Sequence, residues 1–290
     1  MHDRISHTSL APFGVEVSID LSAPLTPTEL TAAEKDELRR LYARDGLLVL
    51  RGLKLSMEEQ CEFCRIFGPV LDSPYENFYV SNTRQDGHLG VLELQWHNDV
   101  PYLPRPYLAA ALHAVDVVPG ATSTQFASGF RAYERLAPAL RERIVNLNAL
   151  QVKQRHSDRC NRLTDLQPGD LCTVHPVLRQ QPGTARPYLF VNENMTPLII
   201  GLPPAESDAL LQELFAALYV PDEVYEHAWY PGDLVLWDNL AVQHARGRVS
   251  ADTRTLQRVS ITELSYAQQY AADLDIRDAY GNGTLLTPAA

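Results

Sequence analysis

The sequence predicts a mostly β protein, with a β-rich core and flanking helices arranged as a sandwich or a jelly roll. Three observations carry this reading. From Leu89 onward, short apolar runs bounded by turn residues recur along the chain. Helical periodicity is confined to a few separate stretches. No internal repeat, low-complexity tract or Gly/Pro/Ser linker divides the chain, so residues 1–290 are read as one domain.

The elements follow in order. Residues 27–45, PTELTAAEKDELRRLYARD, suit an amphipathic helix with Pro27 in its first turn and Gly46 as its stop. LLVLRG reads as a buried strand. In SMEEQCEFCRIFGPV, Ser56 and Glu59 make a capping box and Gly68-Pro69 ends the helix. That helix decides the reading of the CxxC at Cys61 and Cys64. Phe63, Ile66 and Phe67 form a buried stripe beside the cysteines, and no second CxxC exists to complete a zinc site. Core packing is the expectation. LGVLELQWHNDV and PYLAAALHAVDVV read as strands, and SGFRAYERLAPALRERIV as helix divided by Pro138. ALQVKQR resumes the strands. The polar stretch 156–185 reads as a long loop, either a lid over a site or a surface insertion. YLFVNEN, a helix at PAESDALLQELFAALY, and the strands EHAWY, DLVLWD and RTLQRVSIT complete the chain.

Composition narrows the partners. With 36 acidic against 25 basic residues and a formal charge of -11, neither a nucleic-acid backbone nor an anionic membrane is the expected partner. A small anion held by local arginines fits. The N-terminus lacks an apolar core for a secretory signal, and no apolar run approaches the roughly 18 residues of a membrane span. Four cysteines in 290 residues make no disulfide scaffold, so a reducing, cytoplasmic compartment is expected. A homo-oligomer acting on a small molecule is the expected form.

The chemistry begins at LQWHNDVPY, residues 94–102. On a strand, a period of two puts His97 and Asp99 on one face and Asn98 on the other. An imidazole and a carboxylate aimed the same way are either a solvated surface pair or half of a metal site. Among the nine histidines, most lie in exposed-looking segments or have bland strand positions, as His113, His175 and His227 do. His244 differs in context: WYPGDLVLWDNLAVQHARG places it after a tight turn, an apolar strand and a second turn. Beyond it, Arg254, Leu256, Arg258 and Ser260 share one strand face. Two arginines on an apolar strand need anionic partners or water; an edge strand protected by charge is the alternative.

An HxD followed far downstream by a histidine and then by arginines resembles the taurine and 2,4-dichlorophenoxyacetate dioxygenase family. Its members are iron(II)- and 2-oxoglutarate-dependent oxygenases. The resemblance starts near FGVEV, runs through DGLLVLRG and FGPVL, and is strongest in WHNDVPY, GATSTQFAS and GDLVLWDNLAVQHARG. It implies a double-stranded β-helix core, of the jelly-roll or cupin-like kind. It also implies iron(II), 2-oxoglutarate and O2 as cofactor and cosubstrates. His97, Asp99 and His244 match the iron ligands; Thr124 and Arg254 match the residues that hold the distal carboxylate of 2-oxoglutarate. Arg258 matches the position that meets the substrate's anionic group in the taurine enzyme. GATST replaces the usual Gly-Gly-Asp-Thr run. The taurine enzyme's upstream substrate histidine falls at Pro74 or Tyr75, which argues against taurine as substrate.

The residue types suit that chemistry. Two histidines and one carboxylate on one face of an octahedral iron leave three positions open, two of which a 2-oxo acid can chelate. A tetrahedral zinc hydrolase would need one open position and would leave Thr124 and Arg254 without a role. A non-catalytic binding protein need not keep all five residues. With Asp99 present, hydroxylation rather than halogenation is the default expectation; desaturation, epoxidation or ring closure would use the same ligands. Arg258 lies about 13 Å from Arg254 along an extended strand, far enough to serve a second ligand. Its counter-ion must be a substrate anion or a protein carboxylate. Tyr75, Phe78, Tyr79 and Asn192 are the predicted substrate lining, suiting a small organic acid larger and more apolar than taurine. Amino-acid derivatives and secondary-metabolism intermediates belong to that class.

Overall fold

Four residues, Leu47 to Leu50, sit at the centre of the architecture, all of them buried. Leu47 and Val49 pack into one apolar cluster and Leu48 and Leu50 into another, so both faces of this strand are covered. The computed structural model describes residues 4–19, 30–71, 78–89, 94–156, 159–265 and 268. Its first half runs β1 (Ile5–Ser9), β2 (Val15–Ile19), α1 (Ala32–Asp45), β3 (Leu47–Leu50), α2 (Met57–Cys64), β4 (Tyr79–Ser81) and β5 (Gly87–Leu89). It continues with β6 (Ala109–Val117), β7 (Ser123–Ser128), α3 (Gly129–Arg135) and α4 (Pro138–Ile144). The second half has β8 (Asn148–Val152), β9 (Cys172–Pro176), β10 (Leu178–Gln180), β11 (Pro187–Leu189), β12 (Leu198–Ile199) and α5 (Pro204–Leu218). The chain then adds β13 (Val224–Ala228), β14 (Leu234–Asp238), β15 (Val242–Arg246) and β16 (Arg254–Ile261).

Eight strands form one sheet in the order β1-β2-β3-β14-β6-β16-β4-β5, and β13-β7-β15 form a facing sheet. Between them lie Val49, Leu112, Val235, Trp237 and Leu256 from the large sheet and Phe126, Tyr225 and Val242 from the small one. This is the predicted jelly-roll core, with sheets that do not close. On the outer face of the large sheet, Leu38 and Leu41 of α1 and Phe63 and Cys64 of α2 cover Leu48, Leu236 and Ile261. A third cluster joins α5 to β8 and β12.

Local rules explain several ends. Thr31 and Glu34 form a reciprocal capping box, so α1 begins at Ala32 rather than at Pro27, which lies outside the described residues. Gly46 closes α1 in the left-handed conformation at φ 70°, as expected of a glycine stop. The predicted box of Ser56 and Glu59 opens α2, and both CxxC cysteines are buried free thiols. Burial pushes the Cys64 thiol up, the reverse of a metal-binding or redox cysteine. Pro138 separates α3 from α4 as predicted.

Two expectations are corrected. Residues 159–185 are not a structureless loop: they carry β9, which pairs with β8, and β10, which pairs with β11. The polar composition of that stretch hid short strands that alternate faces. The segment around the HxD is not a regular strand either. His97 makes a single antiparallel bridge, and the chain turns away at Val100 with φ 48°.

Candidate metal centre and its pocket

That single bridge assembles the site. His97 N–H donates to the His244 carbonyl at 3.0 Å, and His244 N–H returns the bond at 2.9 Å. The two histidines are therefore a hydrogen-bonded antiparallel pair, and their rings lie 4.1 Å apart. Asp99 Oδ1 stands 3.7 Å from His97 Nε2 and 3.8 Å from His244 Nε2. The three donor atoms lie within 4.8 Å of one another. Gaps of this size are too long for hydrogen bonds and leave room for a cation.

Ring orientation fits a metal. His97 Nδ1 lies 2.7 Å from the Gln95 carbonyl, which fixes the proton there and leaves an Nε2 lone pair facing Asp99. A lone pair and a carboxylate oxygen face each other favourably only with a cation between them. His244 is packed against Trp237 and Phe126. Burial, followed by the neighbouring His97, pushes His244 down to about 3, so its imidazole is neutral as a ligand must be. For Asp99, burial alone would raise the carboxyl. The Arg258 guanidinium, then His244 and His97, outweigh it and hold the group below the usual carboxylate range.

Polar side chains behind the motif hold it in place. The Asn239 side chain accepts from Asp99 N–H at 2.7 Å and donates to Asp99 O at 3.0 Å, imitating a strand partner. Asn98 donates to the Asn239 carbonyl at 2.7 Å and accepts from Asn192. Asn98 thus anchors the motif from behind. His175 bonds the Leu103 carbonyl in the turn after Asp99. Of the strand histidines, His113 is satisfied by Leu55 N–H and the Asp233 carbonyl, and His227 Nε2 lies 3.1 Å from the Asp233 carboxylate.

A pocket opens beside the triad. His97, Asp99, His244, Thr124, Arg254 and Arg258 all line it. Arg258 has a protein counter-ion: its Nη2 donates to Asp99 Oδ2 at 2.7 Å, and its guanidinium lies over Phe78 and Tyr107. Of the two counter-ions expected for Arg258, the ligand-free protein supplies the carboxylate, Asp99. Arg254 is 6% exposed, and its Nε and Nη1 have no partner among the described residues. Burial and the nearby Arg246 charge pull its pKa down. Thr124 Oγ1 accepts from the Trp229 indole at 3.0 Å, so its own proton is available to the pocket.

The predicted substrate lining fares less well. Val80 lines the pocket, so its neighbour Tyr79 points to the opposite sheet face, where Arg84 covers its ring at 3.9 Å. Asn192 is fully buried behind the HxD, bonded to Asn98 and Gln151. Phe78 packs beside Arg258 rather than on the pocket wall. Tyr75 lies outside the described residues. Sequence reasoning also missed Arg246, Trp229 and Asn239. The signal for Arg246 was present: it stands two residues after His244, the spacing that links His97 to Asp99.

Residues 6–260 match the family model for the taurine catabolism dioxygenase TauD, TfdA family. The chain belongs to that family, and with it to the 2-oxoglutarate-dependent, non-haem iron dioxygenases. It is 30% identical over 230 residues to the (S)-phenoxypropionate/alpha-ketoglutarate-dioxygenase of Sphingobium herbicidovorans, covering 72% of this chain and 78% of that one. To the pentalenolactone F synthase of Streptomyces arenae it is 32% identical over 240 residues, covering 73% and 80%. A taurine dioxygenase structure from Burkholderia xenovorans superposes with a TM-score of 0.72 at 26% identity, covering 90% of each chain.

Proposed function

We propose that the protein oxidises a small organic acid by hydroxylation, with His97, Asp99 and His244 as the iron(II) ligands and Thr124 and Arg254 as the 2-oxoglutarate anchors. In the balanced reaction, substrate, O2 and 2-oxoglutarate give hydroxylated substrate, succinate and CO2. The observation that carries the reading is the pairing of a facial His–Asp–His set with a buried guanidinium whose Nε and Nη1 have no partner among the described residues. Iron supplies the oxygen-activating chemistry when it is bound.

The chain's own residues prepare that site. Arg258 occupies Asp99 Oδ2, so only Oδ1 faces the imidazoles and the carboxylate is kept from chelating. Gln95 fixes the His97 tautomer, and Asn239 fixes the Asp99 backbone. Arg254 offers a charged fork and Thr124 a hydroxyl proton to the far carboxylate of the 2-oxo acid. Val80, Leu94, Leu112 and Trp237 supply apolar wall, which excludes water and suits a substrate acid with an apolar body.

Phenoxypropionate in the name of one relative supports this substrate class. The single-domain organisation, a cytoplasmic location and a homo-oligomeric state belong to the same proposal. Four unpaired cysteines support the compartment. No helix among the described residues is long and apolar enough to cross a membrane. Succinate formation should be measured across a library of aryloxy acids, amino-acid derivatives and secondary-metabolism acids, with iron(II), in air and anaerobically. Oxygen- and iron-dependent succinate release is expected. Zinc-supported turnover without oxygen would sink the reading.

A further inference from the structure

A second guanidinium borders the Arg254 end of the pocket. Arg246 lies two residues beyond His244 on β15, so both side chains share one face. In the register of β15 against β7 it stands directly opposite Thr124. Its backbone continues the ladder that joins the two histidines, donating to the Leu94 carbonyl at 3.0 Å. Arg246 lines the pocket with Thr124 and Arg254 and lies about 7 Å from His244 along the strand, the scale of a five-carbon diacid.

The two charged side chains that line this end of the pocket are both cations. Arg246 and Arg254 line the same end of the pocket, so their guanidiniums share one wall with Thr124. Two partly desolvated cations this close cost each other free energy unless an anion joins them. Among the residues lining the pocket, Asp99 alone is acidic, and Arg258 holds its outer oxygen at 2.7 Å. Arg246 has contacts of its own and stands in the pocket wall.

We propose that Arg246 is a further cosubstrate-binding residue, gripping the distal carboxylate of the 2-oxo acid together with Thr124 and Arg254. This rests on the oxygenase reading above. A carboxylate has two oxygens with about four acceptor sites. Arg254 Nε and Nη1 serve one side, the Thr124 proton a second, and the Arg246 fork a third. An anion between the guanidiniums turns their repulsion into two attractions. The clamp therefore selects 2-oxo acids whose far end is charged.

Calorimetric binding to Mn(II)-loaded protein tests this without turnover, using 2-oxoglutarate and 2-oxopentanoate, which has the same length but lacks the distal carboxylate. Arg246→Gln should weaken 2-oxoglutarate by about 10- to 100-fold. It should leave 2-oxopentanoate and Mn(II) affinity unchanged. Arg246→Lys, which keeps the charge but loses the fork, should fall between, and it carries the test if the glutamine variant fails to fold. Equal weakening of both acids, or unchanged 2-oxoglutarate binding alongside weakened binding in Arg254→Gln, would overturn the assignment. A wild type that binds neither acid would remove the oxygenase reading itself.

Discussion

The two ends of the pocket are built on opposite principles. At the metal end the Asp99 charge has a protein counter-ion: one oxygen pairs with Arg258, and the other faces the two imidazoles across the space for a cation. At the cosubstrate end Arg254 is buried with its Nε and Nη1 unpartnered among the described residues, and Arg246 adds a second positive charge beside it. The first arrangement is preorganised, because its geometry exists before any ligand arrives. The second stores an electrostatic cost in the ligand-free protein that an incoming dicarboxylate relieves. A guanidinium does not escape that cost by deprotonation, so it acts on stability and affinity. One pocket thus combines a rigid metal seat with a ligand-hungry anion seat.

The largest effect tests the metal end. His97→Ala should abolish succinate formation and metal binding while preserving the circular dichroism spectrum, because the ring lies at a pocket. Full activity in this variant would remove His97 from the ligand set. The cosubstrate end comes next. Arg254→Ala should cost roughly 2–5 kcal/mol, seen as a raised 2-oxoglutarate requirement with little change for the primary substrate. An unchanged requirement would break the contrast between the ends.

Acid should act on the metal end first. Burial, then Arg179, pushes His175 down to about 4 from an ordinary histidine value near 6.5. A buried neutral histidine stabilises the fold fully above its unfolded pKa. That contribution fades as pH falls from about 6.5 to 4, by up to about 3 kcal/mol. His175→Gln keeps a donor for the Leu103 carbonyl and should flatten the melting temperature over that window. An unflattened profile would show that His175 does not set it.

Paired substitutions sharpen the comparison further. In the metal- and ligand-free protein, Arg258→Met should destabilise, because it leaves Asp99 without its counter-ion. Arg254→Met should stabilise, because it removes a buried charge whose Nε and Nη1 have no partner among the described residues. Changes of about 1–3 kcal/mol in opposite directions are expected from denaturant unfolding. Same-sign changes would mean that the ends are not built differently. The smallest effect is expected from Trp229→Phe, which frees the Thr124 hydroxyl to turn. A cost of about 1 kcal/mol should appear as a few-fold weaker 2-oxoglutarate binding, with Mn(II) affinity unmoved.

The sequence by itself determined what local chemistry controls. Capping boxes at Thr31 and Ser56, the glycine stop at Gly46 and the break at Pro138 act over a few residues, though only the second box was read from the sequence. The HxD with its distant histidine, Thr124 and the arginines was legible because residue type and order carry the resemblance. Tertiary structure decided which side chains share a space. His97 meets His244 through one backbone bridge across 147 positions of sequence, and Arg258 finds Asp99 across 159. Tyr79 faces away because β4 pairs with β16 in a register that turns Val80 inward. Asn192 serves Asn98 from behind rather than a substrate. Such contacts depend on strand register and loop closure, which are global properties of the chain, and a one-residue slip would turn every side chain to the other face.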